Sequence, residues 1–138
     1  NFKKKQILSL LKLCKNLVRK YKIINKNILG HSDIAPVRKI DPGEKFPWEQ
    51  LAKKNIGIWH TCKPNLLKSL RKKKIINAKD KKKFIKNLKK IGYHYQTKQN
   101  YFLEKVIKAF QRHYRKQLIN GKPDRECLII SENLIKNI

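Results

Sequence analysis

Side chains capable of chemistry are concentrated in one short loop. His31, Asp33, Lys39 and Asp41 lie within eleven residues, on a backbone that proline stiffens at positions 36, 42 and 47. Imidazole nitrogen and carboxylate oxygen are both good zinc ligands, and a catalytic zinc uses three protein ligands and keeps a fourth position open. A lysine between such ligands could neutralise the oxyanion that forms when an amide carbonyl is attacked. These residue types therefore allow a metal-dependent hydrolytic site.

The same residues also have ordinary structural explanations. A single histidine in a polar loop is often a surface residue or a hydrogen-bonding residue. The sequence Asp41-Pro42-Gly43 is a common turn, and Asp33 could cap the loop through its own backbone. Residue types and spacing alone leave both interpretations open.

The segments around this loop predict an α/β arrangement for residues 1–62. Residues 2–22 place apolar side chains at three- and four-residue steps, which is typical of an amphipathic helix. The run "NILG" at 27–30 then predicts a short strand, and Pro47 can open a short helix, "WEQLAKK". The run "NIGIW" predicts a further extended piece. In α/β folds a site usually lies at the end of a strand, as this loop would.

The second half predicts a small helical bundle. Residues 63–78, which contain the run "RKKK" and are followed by "KDKKK" at 79–83, are interpreted as a linker. Residues 79–138 then contain three segments with helical periodicity, at 80–91, 100–114 and 124–135. Gly92 is a candidate C-terminal cap and Asp124 a candidate N-terminal cap. About 60 residues is close to the lower size limit for independent folding.

The net charge of +27 suggests a polyanionic partner, such as nucleic acid, an anionic membrane surface or an acidic wall polymer. However, 30 of the 36 basic residues are lysine, and isoleucine (18) and asparagine (12) are also abundant. These three amino acids have A/T-rich codons, so a biased genome gives the same composition. Arginine, the better reader of bases and phosphates, is scarce. The charge alone therefore does not indicate specific nucleic-acid binding.

The cysteines and the hydropathy give little further information. Cys14, Cys62 and Cys127 form no CxxC pair and no metal-ligand spacing, so we interpret them as small buried hydrophobes or a free thiol. No run reaches the ~20 apolar residues of a transmembrane helix. No signal peptide is visible, although a chain that opens "NFKKK" can have lost its start.

The order of residues in the loop adds a family resemblance. The stretch "GHSDIAPVRKIDPGEKFPW" resembles the C-terminal metal-binding loop of the zinc-dependent N-acetylmuramoyl-L-alanine amidases of the type-2 amidase family. The resemblance covers roughly residues 1–60. It implies that His31 and Asp41 are zinc ligands and that Lys39, eight residues after the histidine, stabilises the transition state.

The second half resembles the three-helix peptidoglycan-binding module that follows the catalytic domain in some of these amidases. The run "AFQRHY" at 109–114 matches a helix of that module. The following turn departs from the module's pattern, because Asn120 replaces an aspartate and Cys127 stands where threonine is common. We interpret His113, within this helix, as a structural residue and not as a metal ligand.

Two elements of the family's catalytic site are not found before the loop. The resemblance implies a third ligand, a histidine on an earlier strand, and a glutamate that acts as general base. Residues 1–30 contain no histidine, aspartate or glutamate. His60, His94 and His113 follow the loop, where the family has no ligand. We therefore expect an incomplete amidase chain.

The resulting expectation is a zinc-dependent peptidoglycan hydrolase that cleaves the amide between the muramic acid lactyl group and L-alanine. It implies Zn²⁺ as cofactor, peptidoglycan or muropeptides as partners, and the cell envelope or periplasm as location. One alternative is a non-catalytic peptidoglycan-binding remnant, in which only residues 79–138 function. A second alternative is a basic nucleic-acid-binding protein, suggested only by the charge.

Overall fold

The computed structural model describes residues 2–75, 77–93 and 100–138, with Asn100 by its backbone alone. Its described part is helical. A 3₁₀ turn spans Asn25–Asn27, and the seven helices are α1 (Lys4–Tyr21), α2 (His31–Ile34), α3 (Trp48–Ala52), α4 (Pro64–Leu70), α5 (Ala78–Ile91), α6 (Asn100–Tyr114) and α7 (Arg125–Lys136). Within these ranges the structure has no β-strand, and its single β-type contact is an isolated bridge between Lys74 and Asp124.

The α/β prediction for residues 1–62 is therefore wrong for this structure. Where "NILG" predicted a strand, the described backbone forms the end of the 3₁₀ turn and a short extended piece, and residues 58–63 have no regular secondary structure. A strand exists only when a neighbouring strand pairs with its backbone groups. A Cβ at Gly57 would lie 3.8 Å from the carbonyl oxygen of Ile28, so the two runs approach each other, but no backbone ladder joins them in the described residues.

The core lies between α5, α6 and α7. Phe84, Leu88 and Phe110 have no exposed surface, and the rings of Phe84 and Phe110 meet edge to face with centroids 5.6 Å apart. Phe110 also contacts Tyr114, with ring centroids 5.3 Å apart. The apolar positions of the predicted periodicity thus face inward, and the helices predicted at 80–91, 100–114 and 124–135 are confirmed.

The predicted helix caps are also confirmed. Gly92 ends α5 with φ of 119°, a left-handed conformation that glycine adopts without a Cβ clash. Asp124 precedes α7, and its side chain accepts a hydrogen bond from the backbone N–H of Cys127 at 2.9 Å. Each cap satisfies backbone groups that the helix itself leaves unpaired.

The segment at 63–78 contains a helix and packs on the bundle. Leu67 of α4 and Ile75 belong to the core. Arg71 donates two hydrogen bonds to Glu126, at 2.8 and 2.7 Å, and Glu126 is fully buried. A bidentate arginine–carboxylate pair fixes both the distance and the orientation of its partners. These contacts hold α4 against α7.

Helix α1, predicted at residues 2–22, has the expected amphipathic pattern but no buried residue. Ile7, Leu11 and Val18 of the predicted apolar stripe are half-buried, whereas Tyr21 at its end is 60% exposed. Phe2, just before the helix, meets the ring of Phe46 with centroids 5.3 Å apart. None of the helices in the described part of the chain is long and apolar enough to cross a bilayer.

The core position of Phe110 gives a first prediction. Phe110→Ala should lower the free energy of unfolding by about 3–5 kcal/mol, because it removes a buried ring and leaves a cavity. Urea denaturation monitored by circular dichroism measures this. Tyr101→Ala is the matched control on the same helix, since Tyr101 is 54% exposed. Equal losses of unfolding free energy in the two variants would show that Phe110 does not lie in the hydrophobic core.

Candidate active site

The loop brings His31 and Asp41 together. His31 opens α2, and its Nδ1 lies 2.5 Å from Oδ2 of Asp41. The backbone supports this approach, because the N–H of Ser32 donates to the carbonyl of Asp41 at 3.0 Å. Both side chains remain exposed, 73% for His31 and 55% for Asp41. An imidazole and a carboxylate thus converge at a surface that a ligand can reach.

Gly30 permits the two arms of the loop to meet. A Cβ at this position would lie 2.7 Å from Cδ of Pro42 and 3.2 Å from Cζ2 of Trp48. Real Cβ contacts are not that short, so any larger residue must push Pro42 away. Because Pro42 follows Asp41 directly, the glycine is needed for the approach of Asp41 to α2.

Electrostatics keep Asp41 ionised. The hydrogen bond from His31 lowers the pKa of the Asp41 carboxyl and outweighs the opposing desolvation, and a backbone hydrogen bond together with electrostatic attraction to His31 and Lys39 lowers the pKa further. The ammonium group of Lys39 therefore acts on the same carboxylate, although its side chain is exposed. The charged carboxylate is the form that a metal ligand needs.

The pair can supply two positions of a metal site. No group of three or more histidine, cysteine or acidic side chains suited to a metal ion occurs in the described ranges. His60 makes another contact, with its Nε2 3.3 Å from the carbonyl oxygen of Tyr114. His94 lies outside the described residues. By their chemistry His31 and Asp41 could fill two positions of a zinc ligand set, which normally has three protein ligands or more.

Asp33 has a separate role, facing inward from the same loop. It is 4% exposed and accepts three hydrogen bonds. The donors are the backbone N–H of Gly30 at 2.8 Å, the hydroxyl of Tyr93 at 2.6 Å and Nδ1 of His113 at 2.8 Å. Tyr93 follows α5 and His113 lies in α6, so this carboxylate joins the loop to the helical half.

The surroundings of Asp33 favour its ionised form. Burial alone would raise the pKa of this carboxyl, but attraction to His113 and the three hydrogen bonds outweigh it and lower the pKa. The same burial, together with the Asp33 charge, raises the pKa of the Tyr93 hydroxyl well above its usual value. Trp48 covers the contact, since its ring stacks on His113 with centroids 4.0 Å apart.

The structure therefore divides the residues that the sequence singled out. It brings His31, Lys39 and Asp41 to the surface and directs Asp33 into the interior. Asp33 makes the local cap that was one of the two interpretations left open, through its hydrogen bond from Gly30, but its two side-chain partners, Tyr93 and His113, were not predicted. The structural role expected of His113 agrees with its burial. A usable signal was the position of His113 three residues after Phe110, on the inward face of α6, where a polar side chain needs a buried partner.

Comparisons with known proteins agree with this site. A family model described as N-acetylmuramoyl-L-alanine amidase matches residues 1–44, which include His31, Lys39 and Asp41. An independent comparison therefore gives the same class of protein, the N-acetylmuramoyl-L-alanine amidases, for residues 1–44.

Particular relatives extend the similarity to the second half. The chain is 35% identical over 136 residues to the N-acetylmuramoyl-L-alanine amidase AmiD of Escherichia coli. The matched segment is 98% of this chain and 49% of AmiD. It is 49% identical over 41 residues to the 1,6-anhydro-N-acetylmuramyl-L-alanine amidase AmpD of Enterobacter cloacae, covering 30% of this chain and 22% of that protein.

Solved structures show the same relationship. A complex of E. coli AmiD with the substrate anhydro-N-acetylmuramic acid-L-Ala-D-gamma-Glu-L-Lys superposes with a TM-score of 0.86 and 34% identity, covering 99% of this chain and 53% of that one. AmpDh3 from Pseudomonas aeruginosa gives a TM-score of 0.82 at 28% identity, covering 99% and 54%. The chain is homologous to these amidases and spans about half the length of AmiD.

The lowered pKa of Asp33 predicts a pH-dependent contribution to stability. Asp33→Asn should lower the free energy of unfolding at pH 7 by about 2–4 kcal/mol, because it removes a buried, hydrogen-bonded charge. A carboxyl with a depressed pKa stabilises the fold above its unfolded value, near 3.9, and loses this contribution as pH falls through the folded value. The difference between wild type and variant should therefore shrink from pH 5 to pH 2.5.

Urea denaturation at several pH values measures that difference. Glu44→Gln is the control, because Glu44 is an exposed carboxyl in the same loop. A difference for Asp33→Asn that does not change across this pH range would contradict an ionised Asp33.

Proposed function

We propose that this chain forms part of a zinc-dependent N-acetylmuramoyl-L-alanine amidase, which hydrolyses the amide between the lactyl group of muramic acid and the L-alanine of the peptide stem. The observation that carries the proposal is the approach of His31 Nδ1 to Asp41 Oδ2 within the segment matched by the amidase family model. The homology to AmiD along nearly the whole chain supports it.

In this proposal His31 and Asp41 hold the metal ion. When bound, zinc supplies Lewis-acid polarisation of the scissile carbonyl and a lowered pKa for water. Asp41 is suited to this role because its pKa is lowered and its carboxylate is exposed. Lys39, whose charge helps to lower the pKa of that carboxyl, provides a positive charge for the developing oxyanion.

We further propose a division of the chain that follows the two resemblances. Residues 1–62 would be the C-terminal part of an amidase domain, and residues 79–138 a peptidoglycan-binding module, with 63–78 connecting them. The AmiD complex contains an anhydro-muramyl tripeptide, so muropeptides are the proposed substrates. The cell envelope or periplasm is the location that such substrates imply.

A chimaera tests the catalytic proposal. The region of E. coli AmiD that matches this chain is replaced by residues 1–138, and hydrolysis of an anhydro-muramyl tripeptide is followed by chromatography. We expect activity that is lost on chelation and restored by Zn²⁺. Lys39→Ala should lower kcat by about two to three decades, comparable to the loss of an oxyanion donor. Lys45→Ala, in the same loop, should leave kcat unchanged.

Two results would contradict this proposal. A folded chimaera that binds Zn²⁺ but cleaves nothing would refute the catalytic role of the loop. An effect of Lys39→Ala that is confined to KM would refute its role in stabilising the transition state.

A cleft on the helical half favours wall binding as a second function. The cleft has a volume of about 520 Å³ and an apolar floor that includes Phe84 and Ile107. Three lysines line it, Lys74, Lys81 and Lys122, and the carboxylate of Glu104, which also lines it, is ion-paired with Lys108. Peptide stems of the wall carry carboxylates and apolar alanine methyl groups. A basic rim over an apolar floor is complementary to such a ligand.

Nucleic-acid binding has weaker support from the structure. Trp48, Phe84, Tyr93, Phe110 and Tyr114 are buried. These aromatic rings therefore cannot serve as stacking platforms for bases. The net charge would still allow non-specific contacts, which a salt titration with duplex DNA measures.

Pelleting with purified sacculi tests the wall-binding proposal. The whole chain is used, because Leu67, Arg71 and Ile75 pack on the helical half. Lys81→Glu should reduce the bound fraction severalfold, since it reverses one charge at the cleft. Lys12→Glu makes the same charge change on α1 and should reduce it only slightly. Equal losses in the two variants would mean that binding follows net charge and not the cleft.

A further inference from the structure

The loop that carries His31 and Asp41 is held from the interior by α6. The residue before His31 is Gly30, whose N–H donates to Oδ2 of Asp33. The same oxygen accepts from Nδ1 of His113. One carboxylate oxygen therefore links the backbone beside His31 to a helix that lies 80 residues further along the chain.

The direction of this contact is fixed. Because an ionised carboxylate only accepts hydrogen bonds, Nδ1 of His113 carries the proton that it donates to Asp33. His113 is 4% exposed, and its ring stacks on Trp48 and on Tyr114, each with centroids 4.0 Å apart and planes 14° apart. The imidazole has no room to turn, so its donor stays directed at the carboxylate.

Helix α2 depends on this support. It has four residues, a single turn, and isolated turns are unstable in water. Its buried residues are Ser32 and Asp33. Without its donors Asp33 would be a buried, unpaired carboxylate, which is unfavourable enough to drive it toward solvent. Turning Asp33 outward would rotate α2 and move His31 away from Asp41.

We propose that His113 is a positioning residue for the metal-binding loop. By holding Asp33 it fixes the backbone at Gly30, and so directs the imidazole of His31 toward Asp41. The helical half would then support the ligand geometry in addition to any binding of the wall. That the loop binds zinc rests on the proposed function. The effect of His113 on the orientation of the His31 ring in the metal-free protein does not depend on it.

Two substitutions of similar size separate the hydrogen bond from packing. In His113→Asn the side-chain amide nitrogen takes nearly the place of Nδ1 and can still donate to Asp33. In His113→Leu that donor is absent. The other ring nitrogen, Nε2, has no hydrogen-bond partner among the described residues, so neither variant removes a contact there.

The measurements use the full 138-residue chain. Nitrogen-15 spectra of the histidine rings, assigned with His31→Asn, report the hydrogen bond between His31 and Asp41 without metal. This signature should persist in His113→Asn and disappear in His113→Leu. In titrations with Zn²⁺ followed on the His31 ring, the apparent Kd should rise about tenfold or more in His113→Leu, as for other residues that orient metal ligands, and less than about threefold in His113→Asn.

Controls separate positioning from general stability. Ser131→Ala removes a buried hydrogen bond to Asn87, 3.0 Å long, in the same helical half. It should lower stability and leave the His31 spectrum unchanged. If His113→Leu does not fold, Tyr93→Phe is tested instead. That change removes only the Tyr93 hydroxyl, which donates a hydrogen bond to Asp33. Its effect on His31 should be smaller and in the same direction.

The outcomes are distinguishable. A folded His113→Leu with the wild-type His31 spectrum and wild-type Zn²⁺ affinity would overturn the positioning role, as would an unchanged spectrum in Tyr93→Phe if that variant is the one tested. If Zn²⁺ does not perturb His31 in the wild-type chain, the metal-binding role fails. The metal-free spectra of His113→Leu and His113→Asn still decide the positioning role in that case.

Discussion

The buried carboxylate of Asp33 is the constraint on which the arrangement of this chain depends. An ionised group inside a protein is tolerated only when hydrogen bonds replace its hydration. The three donors to Asp33 come from Gly30, Tyr93 and His113, which belong to three separate segments. None of these segments can supply the full set alone. The carboxylate is therefore satisfied only when the loop and the helical half are docked, and the docking is correspondingly specific.

A second buried ionic group ties the middle of the chain to the same bundle. Glu126 accepts both hydrogen bonds of the Arg71 fork, while Arg115 lies 3.7 Å from the same carboxylate and 3.5 Å from that of Asp124. Arg115 also donates to Sγ of Cys127 at 2.9 Å. Burial raises the pKa of the Cys127 thiol to about 11, so it remains protonated and unreactive. Both halves of the chain thus use acidic side chains to attach irregular segments to helices.

Local physics explains which features could be predicted from sequence. Helices α1, α5, α6 and α7 follow from apolar periodicity, and the caps at Gly92 and Asp124 depend on neighbouring residues only. The predicted strand at 27–30 failed because a strand is defined by its partner, and short apolar runs carry no information about partners. The contact between Asp33 and His113 joins residues 80 positions apart, and no local pattern encodes it. Whether residues 1–62 and 79–138 behave as separate domains stays a prediction.

The few acidic residues of so basic a chain are almost all used in contacts within the described part of the structure. Lysine abundance has a simple compositional explanation, whereas the nine acidic residues have no such explanation. Eight of them make a hydrogen bond or ion pair with a side chain or backbone group, and Asp33, Asp124 and Glu126 are buried. In such a composition, acidic residues and histidines are more informative than the net charge. The structure pairs two of these acidic residues with histidines, His31 with Asp41 at the candidate site and His113 with Asp33 beneath it.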